Sequence, residues 1–173
     1  MGLAVFKGDT LVGELTARET LCHLLIQNNV ESCNITIPHA NNNNENIDLY
    51  LYNTSDPKIK IDIINGNPFI RIKLKLEARI LSVNQGDNHN TEEDLSQISN
   101  SANTHIKSII TEYLYKTSTN LTADMDSFGK HAVSLFLTNS EFENYNWLEN
   151  YKNSTFHVEI DTHVKSALLL GGE

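Results

Sequence analysis

Residues 57–80 constrain the fold more than any other part of this 173-residue chain. Ile59, Ile61 and Ile63 alternate with Lys58, Lys60 and Asp62. After a break, Ile70, Ile72, Leu74, Leu76, Ala78 and Ile80 alternate with Arg71, Lys73, Lys75, Glu77 and Arg79. A period of two sends the apolar set to one face of a strand and the charged set to the other. Between the runs stands Asn65-Gly66, a pair that accepts the positive φ angles of a type I′ turn. The segment therefore reads as a long antiparallel hairpin with one buried face. A slip of one residue would turn every isoleucine into water, so the register is strongly specified.

That apolar face needs a second layer. Thr91-Glu-Glu-Asp94 places acids at the positive end of a helix, and Leu95, Ile98, Ala102, Ile106, Ile109, Ile110, Tyr113 and Leu114 trace one stripe along it. Upstream, residues 3–15 read as a hairpin turning at Gly8, and Thr16-x-x-Glu19 is a capping box that opens a helix over 16–28. Strands are expected over 32–38 and 47–53, shorter helices over 124–137 and 140–151, and a last strand over 156–164. The Asn41–Asn46 tract and residues 84–91 read as loops. The expected fold class is α+β: a mainly antiparallel sheet packed on one face by the long helix and the shorter ones, in a single domain over 1–173.

A net charge of −9 and a pI near 5.2 argue against a nucleic-acid partner. No apolar run reaches the ~20 residues of a membrane span. Cys22 and Cys33, eleven residues apart, lack the paired spacing of a zinc site and read as thiols or, alternatively, as a disulfide. No G-x-S-x-G elbow, H-E-x-x-H or phosphate-binding loop occurs, so no catalytic residue, metal ligand or cofactor site is assigned.

Four features remain as candidates. His157, Glu159, Asp161 and His163 share one strand face, spaced too widely for all four to hold one ion, and read as a solvated strip. Asp124 and Asp126 read as helix-start acids, with Phe128 as a core anchor and Gly129 allowing a helix to pack closely on the sheet. Tyr50 and Tyr52, on one side of their strand, are the best candidates for a stacking platform. The sharpest feature is charge placement: Lys58, Lys60, Arg71, Lys73, Lys75 and Arg79 give the hairpin a net +4, leaving −13 for the rest. All six project from the same side, together with Asp62 and Glu77. The face is either a charged surface that keeps the sheet soluble or a docking surface for an acidic partner loop or anionic lipid headgroups.

The opening stretch Gly2-Leu-Ala-Val-Phe-Lys-Gly-Asp-Thr-Leu-Val-Gly13, followed by Leu15 and Glu19-Thr20, resembles the C-terminal domain of spore-germination C-subunit lipoproteins, the GerAC-like family. The Lys58–Leu76 hairpin, the helix near 92–117, Ala123-Asp124-x-x-x-Phe128-Gly129 and the Trp147–Val164 stretch extend the likeness over nearly the whole chain. Two places depart from the family pattern: Lys130-His131-Ala132 runs on to Leu135-Phe136-Leu137, and Lys165-Ser-Ala-Leu-Leu-Leu170 follows the last strand. The resemblance implies a longer parent with a lipobox signal and two further domains ahead of this one, lipid-anchored on the outer face of the spore inner membrane. It implies partnership with the membrane-embedded A and B subunits of a nutrient germinant receptor, and no enzymatic activity. The alternative is a domain that binds a small nutrient or a glycan directly.

Overall fold

The computed structural model describes residues 2–38, 46–83 and 91–165. Residues 41–45 of the expected Asn41–Asn46 loop, residues 84–90 and the 166–170 departure lie outside them, while Asn46 is already in a strand, paired with Pro38.

The hairpin forms as the alternation requires. Strands β5 (Lys58–Ile64) and β6 (Asn67–Val83) pair antiparallel, Ile59 with Ile72 and Ile61 with Ile70, across a turn in which Asn65 and Gly66 take φ of 51° and 82°. The inward residues Ile70, Ile72, Leu74, Leu76 and Ala78 are almost completely buried. At 17 residues, β6 outruns its hairpin partner. The remaining part of the same edge pairs antiparallel with β4 (Asn46–Asn53), whose own far side pairs with β3 (Cys33–Pro38). Thr54 fills the gap between β4 and β5, its N–H donating to the Lys75 carbonyl at 2.9 Å.

The opposite edge of β6 takes β7 (Thr155–Lys165), which runs parallel to it from Phe69↔Thr155 to Arg79↔Lys165. The sheet is therefore mixed, with a single parallel pairing among antiparallel ones. Strand alternation alone could not reveal this, because direction depends on the connection. Between β6 and β7 the chain runs through a long helical connection, the kind of crossover that a parallel neighbour needs.

The long helix α2 (Glu92–Tyr115) is capped by the Thr91 hydroxyl, which accepts from the Asp94 N–H, and it buries Ile98, Ala102, Ile106, Ile109, Ile110, Tyr113 and Leu114. Its polar residues reach both ends of the sheet. Ser101 Oγ donates to the Pro38 carbonyl of β3 at 2.7 Å, while Asn103 Oδ1 and Ser99 Oγ accept from the Thr162 and Val164 N–H groups of β7. One helix can bond to β3 and to β7 only because the sheet curls around it.

Helix α1 (Ala17–Ile26) begins with the expected capping box, Thr16 N–H donating to Glu19 and Glu19 N–H to the Thr16 hydroxyl. The hairpin of β1 (Leu3–Lys7) and β2 (Thr10–Leu15) forms a separate two-stranded sheet that turns at Gly8, φ 66°. It buries Val5 and Leu15, and Lys116 at the end of α2 ties it down by donating to the Glu14 carbonyl and pairing with Glu19 at 2.8 Å.

The later helices are shorter than the apolar spacing suggests. Ser127 sits in the left-handed region, so the expected 124–137 helix begins only at α3 (Phe128–Ala132), tightens into one 3₁₀ turn over Val133–Leu135 and ends extended at Phe136. Asn146, also left-handed at φ 50°, divides the expected 140–151 helix into α4 (Asn139–Tyr145) and α5 (Trp147–Tyr151). The break lets Trp147 and Tyr151 turn inward beneath β6 and β7, where Tyr151, Phe128 and Phe156 pack as a ring cluster. Gly129 lies against Trp147 rather than against the sheet: an added Cβ would stand 2.9 Å from the indole Cδ1.

Ile106→Ala is expected to cost about 3 kcal/mol in urea unfolding, because it opens a cavity where α2 meets the sheet, whereas Ile64→Ala, at a half-exposed position, should stay within about 0.5 kcal/mol. Gly129→Ala is expected to lower stability by about 1–3 kcal/mol through overpacking against Trp147, read as a shift of the urea midpoint at constant slope.

Candidate functional site

The outer face of the sheet collects the charge that the sequence concentrates in the hairpin. Lys58 lies opposite Lys73, and Lys60 opposite Arg71, so four cations of β5 and β6 form two like-charged cross-strand pairs. Such pairs destabilise unless something nearby balances them. Within the hairpin, Arg71 is balanced by a salt bridge to Asp62, and its guanidinium also stands over the Phe69 ring at 5.4 Å from the centroid.

The rest of the balance comes from β7, 86 residues downstream. The parallel register sets His157 beside Arg71, Glu159 beside Lys73, Asp161 beside Lys75 and His163 beside Glu77. Lys73 Nζ stands 3.1 Å from Glu159, and Lys165 Nζ stands 2.7 Å from Glu77. A hydrogen bond from Lys73, assisted by His157, holds the Glu159 carboxyl below its ordinary range. Lys165 does the same for Glu77, which also accepts from the Tyr52 hydroxyl. Arg79 sits close enough to influence both Tyr52 and Glu77. The strip His157–Glu159–Asp161–His163 is thus the counter-charge of the basic hairpin. No group of three or more metal-ligating side chains converges among the described residues.

With β7 in place, the outer face carries Lys58, Lys60, Arg71, Lys73, Lys75, Arg79 and Lys165 against Asp48, Asp62, Glu77, Glu159 and Asp161, so its net charge is +2. Of the six cations singled out in the sequence, Arg71 and Lys73 are held in ion pairs and Arg79 lies beside the Tyr52–Glu77 pair. Lys58, Lys60 and Lys75 have no ion pair among the described residues. These three exposed ammonium groups make the hairpin half of the face basic.

Tyr50 and Tyr52 share that face, but they make no flat platform. Their rings meet edge to face at 61° and 6.4 Å, and the Tyr52 hydroxyl is engaged by Glu77. Both cysteines are free thiols; burial pushes Cys22 up to about 12 and Cys33 up to about 11, so both stay protonated and unreactive at neutral pH.

The two aspartates divide their roles. Asp124 fills the helix-start role: its carboxylate accepts from the Phe128 and Gly129 N–H groups at 2.8 and 2.6 Å, and from the Trp147 indole at 2.9 Å. Asp126 does not cap a helix. Its side chain is fully buried, accepting from Tyr113 OH at 3.0 Å and lying 2.8 Å from His23 Nδ1, while its carbonyl accepts from Gln27. This cluster ties α1, α2 and the loop before α3 together. Nothing in the sequence announces it, because His23 and Asp126 are 103 residues apart. Burial raises the Asp126 carboxyl, against the opposing pull of His23 and Tyr113.

The architecture is thus a five-stranded mixed sheet curled around a helix, with a half-neutralised polar face outside. The crystal structure of the GerBC protein has the same fold: it matches at a TM-score of 0.77 and 18% identity, over 94% of this chain and 50% of that one. The present chain therefore spans about half the length of that structure. Residues 1–167 match the family described as spore germination B3/GerAC-like, C-terminal, and the chain belongs to that family. No curated protein matches it. The described helices include none long and apolar enough to cross a membrane.

A group whose folded pKa is raised binds its proton more tightly folded than unfolded. The stability contributed by Asp126 is therefore complete below the ordinary value of about 3.9 and declines as pH rises through the folded value. In a carboxyl-detected NMR titration, Asp126 should titrate above Asp48, whose carboxyl is held low by the Thr36 and Ser82 hydroxyls. Asp126→Ala should cost about 3 kcal/mol in urea, by leaving Tyr113 and His23 unpaired.

Proposed function

We propose that this chain is the C-terminal interaction domain of a germinant-receptor C subunit. In this reading it docks through the basic hairpin half of its outer sheet face and contributes to receptor assembly and germination signalling without enzymatic activity. The observation that supports docking most directly is the residual charge: β7 neutralises Lys73 and Glu77 leans on Lys165, yet Lys58, Lys60 and Lys75 stay exposed and unpaired among the described residues. Solubility alone does not call for exposed Lys58 and Lys60 in two like-charged cross-strand pairs, and such pairs cost stability. Family membership supplies the setting. The partners that fit are the membrane-embedded A and B subunits, with an acidic loop as the complementary feature, and the anionic surface of the spore inner membrane, to which a lipid anchor ahead of this domain would hold it. Each exposed Lys near such a surface contributes about 1 kcal/mol.

The like-charged pairs also say which residues to change. Replacing Lys73 would break its ion pair with Glu159 and confuse docking with sheet stability, whereas Lys58, Lys60 and Lys75 have no ion pair to lose. A Lys58→Glu, Lys60→Glu, Lys75→Glu chain is expected to keep its urea midpoint within about 1 kcal/mol. In spores carrying it in the full-length subunit, nutrient germination should be slowed and the receptor subunits should co-purify less. Normal germination and co-purification at normal protein level would remove the docking role.

A further inference from the structure

β3 is the end strand of its sheet, and beyond it α1 and α2 enclose a groove of about 290 Å³. Each element gives the groove one apolar and one polar residue. Leu21 of α1, Ile35 of β3 and Ile109 of α2 form the apolar wall, and Arg18, Asn34 and His105 stand around it. The Thr36 hydroxyl, although its residue borders the groove, is spent on Asp48, to which it donates at 2.6 Å. Ligand pockets commonly measure ~300–1,000 Å³, so this one suits a guest of only a few carbons.

The side chains of Arg18, Asn34 and His105 make no hydrogen bond or ion pair among the described residues. Arg18 is the one charged side chain in the groove's lining, and no carboxylate faces it there. The nearest acids lie on its other side, in a neighbouring groove, and both have partners: Glu19 is held by Lys116 at 2.8 Å and Glu112 accepts from the Ser108 hydroxyl at 3.1 Å. Burial, reinforced by the Arg18 guanidinium and opposed by Glu112, holds the His105 imidazole below its ordinary 6.5. The ring is therefore neutral at pH 7 and donates from one nitrogen. A guanidinium fork beside an apolar wall matches a carboxylate that carries an apolar body.

We propose that the groove between α1, α2 and β3 binds a small carboxylic acid, its carboxylate on Arg18 and its hydrocarbon body against Leu21, Ile35 and Ile109. The Asn34 amide and the His105 ring supply further donors to the carboxylate oxygens at the rim. The site lies apart from Lys58, Lys60 and Lys75, and it stands or falls independently of the docking role above.

The test is an NMR titration of the ¹⁵N-labelled chain at low salt and pH 7 with sodium isovalerate, with its uncharged amide isovaleramide, and with the tripeptide acetyl-Gly-Gly-Leu. Isovalerate should shift the Leu21, Asn34 and His105 amides saturably, with a Kd on the order of 1 mM, as befits so small a ligand. Isovaleramide should bind at least ~3-fold more weakly. Arg18→Gln, at an exposed helix position, should abolish the preference for acid over amide without moving the urea midpoint, and Arg18→Lys should retain part of it. Absence of saturable shifts at these three amides would overturn the proposal, as would equal binding of acid and amide or a preference that persists in Arg18→Gln. Shifts confined to the Lys58–Lys60–Lys75 face would do the same, because carboxylates would then simply be collecting on exposed lysines. Tighter binding of the tripeptide than of isovalerate would give the groove to a chain terminus and overturn the small-acid assignment.

Discussion

The structure depends on one relation: a strand too long for its hairpin partner, wrapped around a helix that bonds to both ends of the sheet. β6 takes β5 and β4 end to end on one edge and β7 on the other, so every other strand of the five-stranded sheet but β3 is placed by it. The sheet that results is apolar within, and α2 fills the curl with Ile98, Ala102, Ile106 and Ile110. A curled sheet leaves backbone groups open at its two ends, and burying these without partners would be costly. Ser99, Ser101 and Asn103 meet that requirement from one helix. They interrupt the apolar pattern of α2 because they face the sheet's ends rather than its floor.

The outer face follows from the same arrangement. A hairpin with Lys58 against Lys73 and Lys60 against Arg71 would repel itself in isolation. Parallel addition of β7 brings Glu159 and Asp161 into line with Lys73 and Lys75, and Lys165 into reach of Glu77. The surface becomes a mosaic of signs, most basic at Lys58 and Lys60 of β5, which β7 does not touch. Exposed charges of this kind attract opposite charge at long range, and that attraction weakens with salt.

The buried Asp126 cluster and the Gly129–Trp147 contact belong to a different part of the molecule, where short helices and left-handed residues fold the chain back beneath β5, β6 and β7. Left-handed conformations at Ser127 and Asn146 aim Phe128, Trp147 and Tyr151 into the core. The apolar spacing of 124–151 is compatible with longer helices, and only the packing of these rings selects the broken form.

By itself the sequence determined the elements whose cause is local. The period-two alternation of 57–80, the Asn65-Gly66 turn, the Thr16–Glu19 capping box, the Thr91 cap and the stripe of α2 are all legible because each is set by residues within a few positions of one another. Two faces could be assigned for the same reason: Lys58, Lys60, Arg71, Lys73, Lys75 and Arg79 share a side whatever lies next to them. What lies next to them was decided by tertiary structure. The parallel direction of β7, which a long helical crossover allows but does not dictate, was decided by packing, and the meeting of His23 with Asp126 joins residues that no local pattern connects. The +4 hairpin becomes a +2 face because β7 adds Glu159, Asp161 and Lys165 and β4 adds Asp48, and a strand's neighbour across the sheet is set by topology, which the alternation of its own side chains does not encode.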